Sequence, residues 1–285
     1  MLSISWSVIC GTTGAIATKA GTPASVRARM AASRFLAAGA LGSKVLWILG
    51  SSDVTEIATE AMPSFAAGAM MSRSRSTRSV IELLLETKHP FTITTKSDRV
   101  LRDLDIIAPA AKLGIASVAI SVTSLDPKIH RTLEPRAPAA RKRLAAIRAL
   151  TDAGVPAFVA IAPVVPQITD HEIESIVAAA AEAGARGGFW LPVRLPHEVA
   201  PLFRAWLDEH YPDRASKVMA TINSIRGGRD NDPNFFTRMR GQGPWAELLR
   251  TRFEKAAKRY GLPQAKFPLR RDLFEPPQGD QLRLL

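Results

Sequence analysis

The chain has 285 residues, 46% of them hydrophobic, and a formal net charge of +12 from 38 Lys+Arg against 26 Asp+Glu. That length can bury a substantial core in one large domain, or in one domain with appendages. The one cysteine, Cys10, excludes an intramolecular disulfide and any cysteine-only metal or cluster site made by this chain alone. No apolar run approaches the ~20 residues that span a bilayer. Residues 1–20 lack a basic stretch before their apolar part, so they do not read as a signal peptide and the expected location is the cytoplasm. The positive charge suits a polyanionic partner such as nucleic acid, and it equally suits a solvated basic surface.

In chain order, residues 1–76 give few turn and cap signals that agree with one another. Residues 44–50 fit one strand and residues 24–41 a helix, while 70–76 look like low-complexity linker. The pattern sharpens at Thr77. Val80, Leu83, Leu84 and Leu85 recur at helical spacing, and Pro90 closes that helix. Residues 91–97 are a β-branched run and predict a strand. Ser97 or Asp98 can cap a helix running to Gly114, and a second such strand spans 118–124. Asp126-Pro127 opens a further helix, with Asp126 as the N-cap. A longer helix covers 139–153, and a third strand covers 155–165. Thr169-Asp-His-Glu172 fits a capping box for the helix that ends at Gly184, and 187–195 predicts a fourth strand. Repeated strand and helix in this order indicate an α/β protein with a parallel sheet or part of a (β/α) barrel. Beyond 196 the chain reads as helical over 197–210, 215–225 and 244–260, with an extended tail over the last 24 residues.

Parallel α/β folds place chemistry at the C-terminal ends of their strands. Lys96 ends the first clear strand. It can anchor a carboxylate or phosphate, form a Schiff base if burial lowers its pKa, or simply begin a surface loop. Ser121 is a hydroxyl near the end of the next strand, usable by a ligand or satisfied by backbone. Arg136, in Leu133-Glu-Pro-Arg136, can fork onto a carboxylate or pair locally with Glu134. Residues 226–240 carry Arg226, Arg229, Arg238 and Arg240 with paired glycines and Phe235-Phe236. This is a candidate nucleic-acid loop, or a basic loop whose phenylalanines pack on the barrel. His89, His130, His171, His197 and His210 show no metal-ligand spacing, and neither a Walker loop nor a dinucleotide glycine fingerprint occurs.

Thr94-Thr-Lys-Ser97, Ala119-Ile-Ser-Val-Thr123, Leu133-Glu-Pro-Arg-Ala137, Ala162-Pro-Val-Val-Pro166 and Arg226-Gly-Gly-Arg229 occur in that order. As a set they resemble the radical S-adenosylmethionine (SAM) proteins, in the group similar to spore photoproduct lyase and often called DNA repair photolyase-like. The resemblance covers residues 77–260. It implies a partial (β/α)6 TIM-like barrel, incomplete at its N-terminus, with a helical C-terminal extension. It implies SAM as cofactor, held by Lys96, Ser121 and Arg136, and a 4Fe–4S cluster on three closely spaced cysteines upstream of Thr77. The implied reaction is reductive cleavage of SAM to a 5′-deoxyadenosyl radical, with damaged DNA as the implied substrate. The three cysteines are missing here, so the expectation divides. One outcome is a family enzyme impaired in its cluster, and the other is a non-catalytic remnant that binds nucleotide or nucleic acid. Residues 1–76 read as foreign to the family's N-terminus, from a shifted frame or a non-native start. Residues 77–225 read as the barrel portion, and 226–285 as basic loop, helix and tail. The terminal Gln281-Leu-Arg-Leu-Leu285 resembles a peptide that docks into the bacterial sliding clamp, and equally a generic apolar C-terminus.

Overall fold

The computed structural model describes residues 46–50, 55–56, 76–234, 237–265 and 268–275. Residues 1–45, with Cys10 and the helix expected at 24–41, lie outside them, as do 51–54, 57–75, Phe235-Phe236, 266–267 and the run from 276 to Leu285. The elements in chain order are β1 (Leu46–Gly50), β2 (Thr55–Glu56), α1 (Ser76–Glu86), β3 (Phe91–Thr95), α2 (Leu104–Lys112), β4 (Ala116–Ser121), α3 (Pro127–Leu133), α4 (Ala140–Asp152), β5 (Ala157–Val164), α5 (Ile173–Glu182), β6 (Gly187–Pro192), α6 (Val199–His210), α7 (Pro212–Ser224) and α8 (Gly243–Arg259). They build one α/β sheet in the order β2-β1-β3-β4-β5-β6. β2 pairs antiparallel on the edge, and every other pairing is parallel. This is a partial (β/α) barrel followed by helices. The sheet reaches one parallel strand further toward the N-terminus than the break in sequence character at Thr77, because β1 lies in register with β3 from Leu46↔Phe91 to Gly50↔Thr95.

The period of two along each strand sorts the side chains into two sets. Phe91, Ile93, Ala116, Val118, Ile120, Val122, Ala157, Val159 and Ile161 pack into the main core with the apolar stripes of α1, α2, α4, α5 and α8. The other face is mixed, with Thr92, Thr94, Ser117, Ala119, Ser121, Ala160 and Ala162 small or hydroxylated and Phe158 a large side chain near the start of β5. Thr92 Oγ1 and Ser117 Oγ share a hydrogen bond of 2.8 Å across β3 and β4 on this face. Toward the C-terminal strand ends the inner face is thus lined by small and hydroxylated side chains, opposite the apolar core face.

Local signals explain most boundaries. Asp126 caps α3 by accepting from Lys128 N at 2.7 Å. Ser97 accepts from Arg99 N at 3.2 Å, but what it opens is a 3-10 turn over Asp98–Asp103 that leads into α2. Thr169 does not close a capping box. Its hydroxyl accepts from Val165 N at 2.8 Å, and the Glu172 carboxylate turns away to Ser124 Oγ (2.5 Å) and Leu125 N (2.7 Å). Those two bonds tie the loop after β4 to the start of α5.

Two features of the C-terminal third differ from the simple helical reading. α8 packs like a barrel helix, placing Leu249, Phe253, Ala256 and Ala257 in the main core and forking Arg252 onto Glu174 of α5 at 2.7 and 2.6 Å. α6 and α7 form a second core with α3, in which Phe203, Trp206 and Ile222 meet Ile129, Leu133, Val165 and Val193.

The tail is extended as expected, but its described part is docked. Ala265 N donates to Gly188 O at 2.7 Å, Arg270 N to Gly114 O at 2.8 Å, and Glu275 N to Thr87 O at 2.9 Å. It thus crosses the N-terminal ends of β6, β4 and β3, and Phe274 meets the buried His89 ring edge-on at 5.0 Å. A Cβ on Gly187 would lie 2.8 Å from the Pro263 carbonyl oxygen, a backbone atom that cannot swing aside. Gly187→Ala is therefore expected to lower stability by roughly 1–3 kcal/mol, the usual range for overpacking. Urea unfolding checks this, and an unchanged midpoint would show that the strap shifts at no cost.

Candidate functional site

The C-terminal ends of β3, β4 and β5 converge on the ammonium of Lys96. Its Nζ lies 2.9 Å from Ser121 Oγ, 3.0 Å from Thr123 Oγ1, 2.6 Å from the Ala162 carbonyl and 2.8 Å from Glu134 Oε1. Three N–H bonds thus face four acceptors. Ser121 Oγ donates to the Ala162 carbonyl at 2.8 Å. The single Thr123 hydroxyl proton serves either Glu134 Oε1 at 2.7 Å or Ala162 O at 2.9 Å. The other carboxylate oxygen of Glu134 receives Arg143 Nη2 at 2.6 Å. Arg143, 1% exposed, also spends Nη1 on Ser121 O (3.0 Å) and Nε on Pro138 O (2.6 Å). Two cations and one anion leave this network one positive charge in excess.

Burial works against the Glu134 charge, yet Lys96 and Arg143 outweigh it and hold the carboxyl at about 2, below its ordinary 4.5. For Lys96, burial, opposed by Glu134 and reinforced by Arg143, lowers the pKa from the ordinary lysine range. Because the folded-state pKa of Glu134 is depressed, its contribution to stability is fully present above about pH 4.5 and is lost as pH falls toward about 2. The melting-temperature gap between wild type and Glu134→Gln is accordingly expected to be widest above pH 4.5 and to close as pH approaches 2. A gap that stays constant across that window would contradict the assignment.

Lys96 and Ser121 are thus brought together by the fold. Arg136 is not part of the network. It stands exposed on the turn after α3, and the guanidinium that enters is that of Arg143. Thr123, Glu134, Arg143 and the Ala162 carbonyl complete the site beyond the residues picked from sequence. Arg143 had a signal, since it shares a helical face with Ala146, Ile147 and Leu150, all buried. An arginine on the apolar stripe of a helix indicates a buried partner.

The four arginines of the 226–240 stretch separate. Arg229 and Arg240 are exposed, and Arg238 is half-buried. Arg226 is 3% exposed and faces inward, with Nη2 donating to Val193 O at 2.9 Å and Nη1 to the Arg238 carbonyl. It is therefore an internal tie and cannot lie along a nucleic-acid strand as placed.

Comparison with known proteins agrees with this architecture. Residues 64–180 match the family model described as Radical SAM superfamily. Over this segment the chain is similar to the radical SAM superfamily. The match begins ahead of Thr77. An uncharacterized protein of Mycobacterium bovis is 35% identical over 140 residues, covering 48% of this chain and 41% of that protein. The chain therefore spans less than half the length of that relative. Among solved structures, a spore photoproduct lyase mutant superposes with TM-score 0.52 at 14% identity, over 81% of this chain and 62% of the other. Spore photoproduct lyase complexed with a dinucleoside spore photoproduct gives TM-score 0.51 at 15% identity, over 80% and 62%. At that identity the likeness shows a shared fold. No helix among the described residues is long and apolar enough to cross a membrane.

Radical SAM proteins use SAM and a 4Fe–4S cluster, and the two fare differently here. The inner face suits a polar, bulky ligand. Toward the C-terminal strand ends its side chains are small, Thr94 Oγ1 is buried there without a hydrogen-bond partner among the described residues, and the Lys96 network supplies net positive charge. The cluster does not fit. It needs thiolates, this sequence holds one cysteine, and no group of His, Cys, Asp and Glu among the described residues could hold a metal.

Proposed function

We propose that this chain binds SAM on the inner face of the sheet, at the C-terminal ends of β3 to β5, and recognises nucleic acid. It does so without cluster chemistry of its own. The observation that carries the reading is the cationic network around Lys96 beside small, hydroxylated inner-face side chains. Lys96 and Ser121 would hold the polar end of the ligand, with Arg136, exposed on the turn after α3, as a further contact. The family reaction, reductive cleavage of SAM to a 5′-deoxyadenosyl radical, draws its electron from the cluster, which the residues here do not seat. DNA as the partner is supported by the net charge of +12 and by a fold-mate complexed with a dinucleoside photoproduct.

Anaerobic iron–sulfide reconstitution tests the cluster half of this reading. The expected result is far less than one cluster per chain and no visible charge-transfer band. About four irons per chain with that band would show that the polypeptide seats a cluster, and the reading without cluster chemistry would fall.

A further inference from the structure

The segment from α3 to the start of α4 has a one-sided charge balance. Between Asp126 and Asp152 the one acid is Glu134, which is buried against Lys96 and Arg143. Asp126 itself is engaged as the cap of α3, accepting from Lys128 N at 2.7 Å. Arg143 turns inward with Glu134, while Lys128, Arg131, Arg136, Arg141 and Lys142 are exposed. None of these five makes an ion pair among the described residues, whereas Arg78, Arg204, Arg252 and Arg270 each bind a carboxylate.

The five come from one corner of the fold. Lys128 and Arg131 stand three residues apart on α3, turned away from its buried Ile129 and Leu133. His130 Nε2 donates to the Ala137 carbonyl at 2.8 Å and closes the turn, so α4 starts beside the end of α3. Arg141 and Lys142 then occupy the first turn of α4. That placement runs against local physics, because the N-terminal end of a helix favours carboxylates and disfavours cations. α4 has no acid in its first turn and no side-chain cap at Ala139. Sequences break such local rules chiefly where function requires it.

The same segment is fastened to the Lys96 site, with Glu134 Oε1 on Lys96 at 2.8 Å and Arg143 Nη1 on Ser121 O at 3.0 Å. Its outward cations therefore flank the C-terminal end of β4, on the rim of the proposed SAM site. Cations spread over two helices and a turn suit a row of phosphates, since a single small anion could engage only a few of them. We infer that Lys128, Arg131, Arg141 and Lys142 form the surface on which the phosphate backbone of DNA docks. The inference rests on the nucleic-acid half of the proposed function and gives it a place on the fold. Arg136 stands on the same turn and is kept unchanged in the test, because it is also the proposed ligand contact.

Binding of a short DNA duplex to the full chain is measured by fluorescence anisotropy from about 50 to 200 mM salt. Wild type is compared with two double variants, Lys128→Gln/Arg131→Gln and Arg141→Gln/Lys142→Gln. A control on the exposed face of α8, Arg250→Gln/Lys255→Gln, removes the same charge elsewhere. Each of the first two is expected to weaken binding roughly 10-fold and to flatten the slope of log affinity against log salt by about 1.8, the duplex value for two lost phosphate contacts. The control should keep the wild-type slope. The α4 variant should also melt at or above the wild-type temperature, because it relieves the helix start, so its weaker binding is not a loss of fold. Duplex binding by wild type with an unchanged slope in both double variants, or an equal loss in the control, would keep the nucleic-acid reading and overturn this surface. Failure of wild type to bind the duplex would remove the nucleic-acid reading itself, and the surface with it.

Discussion

Glu134→Leu is expected to destabilise the protein by roughly 3–5 kcal/mol, the range for breaking a buried ion pair from one side. The carboxylate is the single anion between Lys96 at 2.8 Å and Arg143 at 2.6 Å. Removing it leaves the buried Arg143 and the partly buried Lys96 without their shared counter-charge, with Thr123 losing one of its acceptors. Arg143 also bonds the backbone at Ser121 and Pro138, so its displacement would loosen the end of β4 and the turn before α4. Glu134→Gln should cost less, because the amide still accepts hydrogen bonds on one side. Lys96→Met should cost less still, since Glu134 then keeps Arg143 as its counter-charge. That ranking, read by urea unfolding, is the informative result. Equal effects for all three would mean that the network packs as neutral bulk and that its charges do not organise the site.

Lys96→Met is expected to weaken SAM binding by roughly 10- to 100-fold, the scale of a lost hydrogen bond to a charged group. The network holds one positive charge more than its single carboxylate, and the substitution removes that excess while keeping an unbranched stem of similar length. The ammonium is shared among four protein oxygens, so a ligand carboxylate must take the place of one of them, and the net charge favours the exchange. Isothermal titration with a folded variant measures this directly. Unchanged affinity would place the ligand elsewhere.

What could be read from the sequence followed the strength of local physics. β3, β4 and β5 announced themselves through β-branched runs bounded by Gly and Pro, and Asp126-Pro127 marked the start of α3. Lys96 and Ser121 followed from strand ends, because register alone places them side by side: β3 and β4 pair in step through Thr95↔Ile120. Residues whose role depends on distant partners were harder. Glu172 and Thr169 fit a capping pattern but are drawn off by Ser124 and Val165 N, a tertiary override of a local rule. Arg226 sits in a basic, glycine-rich run that suggests a phosphate loop, yet its guanidinium turns inward, with Nη2 on the backbone carbonyls of Pro192 and Val193. The docking of the tail against Gly114 and Gly188 rests on backbone bonds that leave no side-chain signature.

The most direct test of the central claim is amide hydrogen exchange with and without saturating SAM. The account predicts protection concentrated at residues 92–97, 119–124 and 160–163, where β3, β4 and β5 meet at Lys96, with the helices facing the main core unchanged. Protection elsewhere, for example along α8 beside Gln264, or no protection at all, would contradict the claim that the Lys96 end of the sheet is the SAM site.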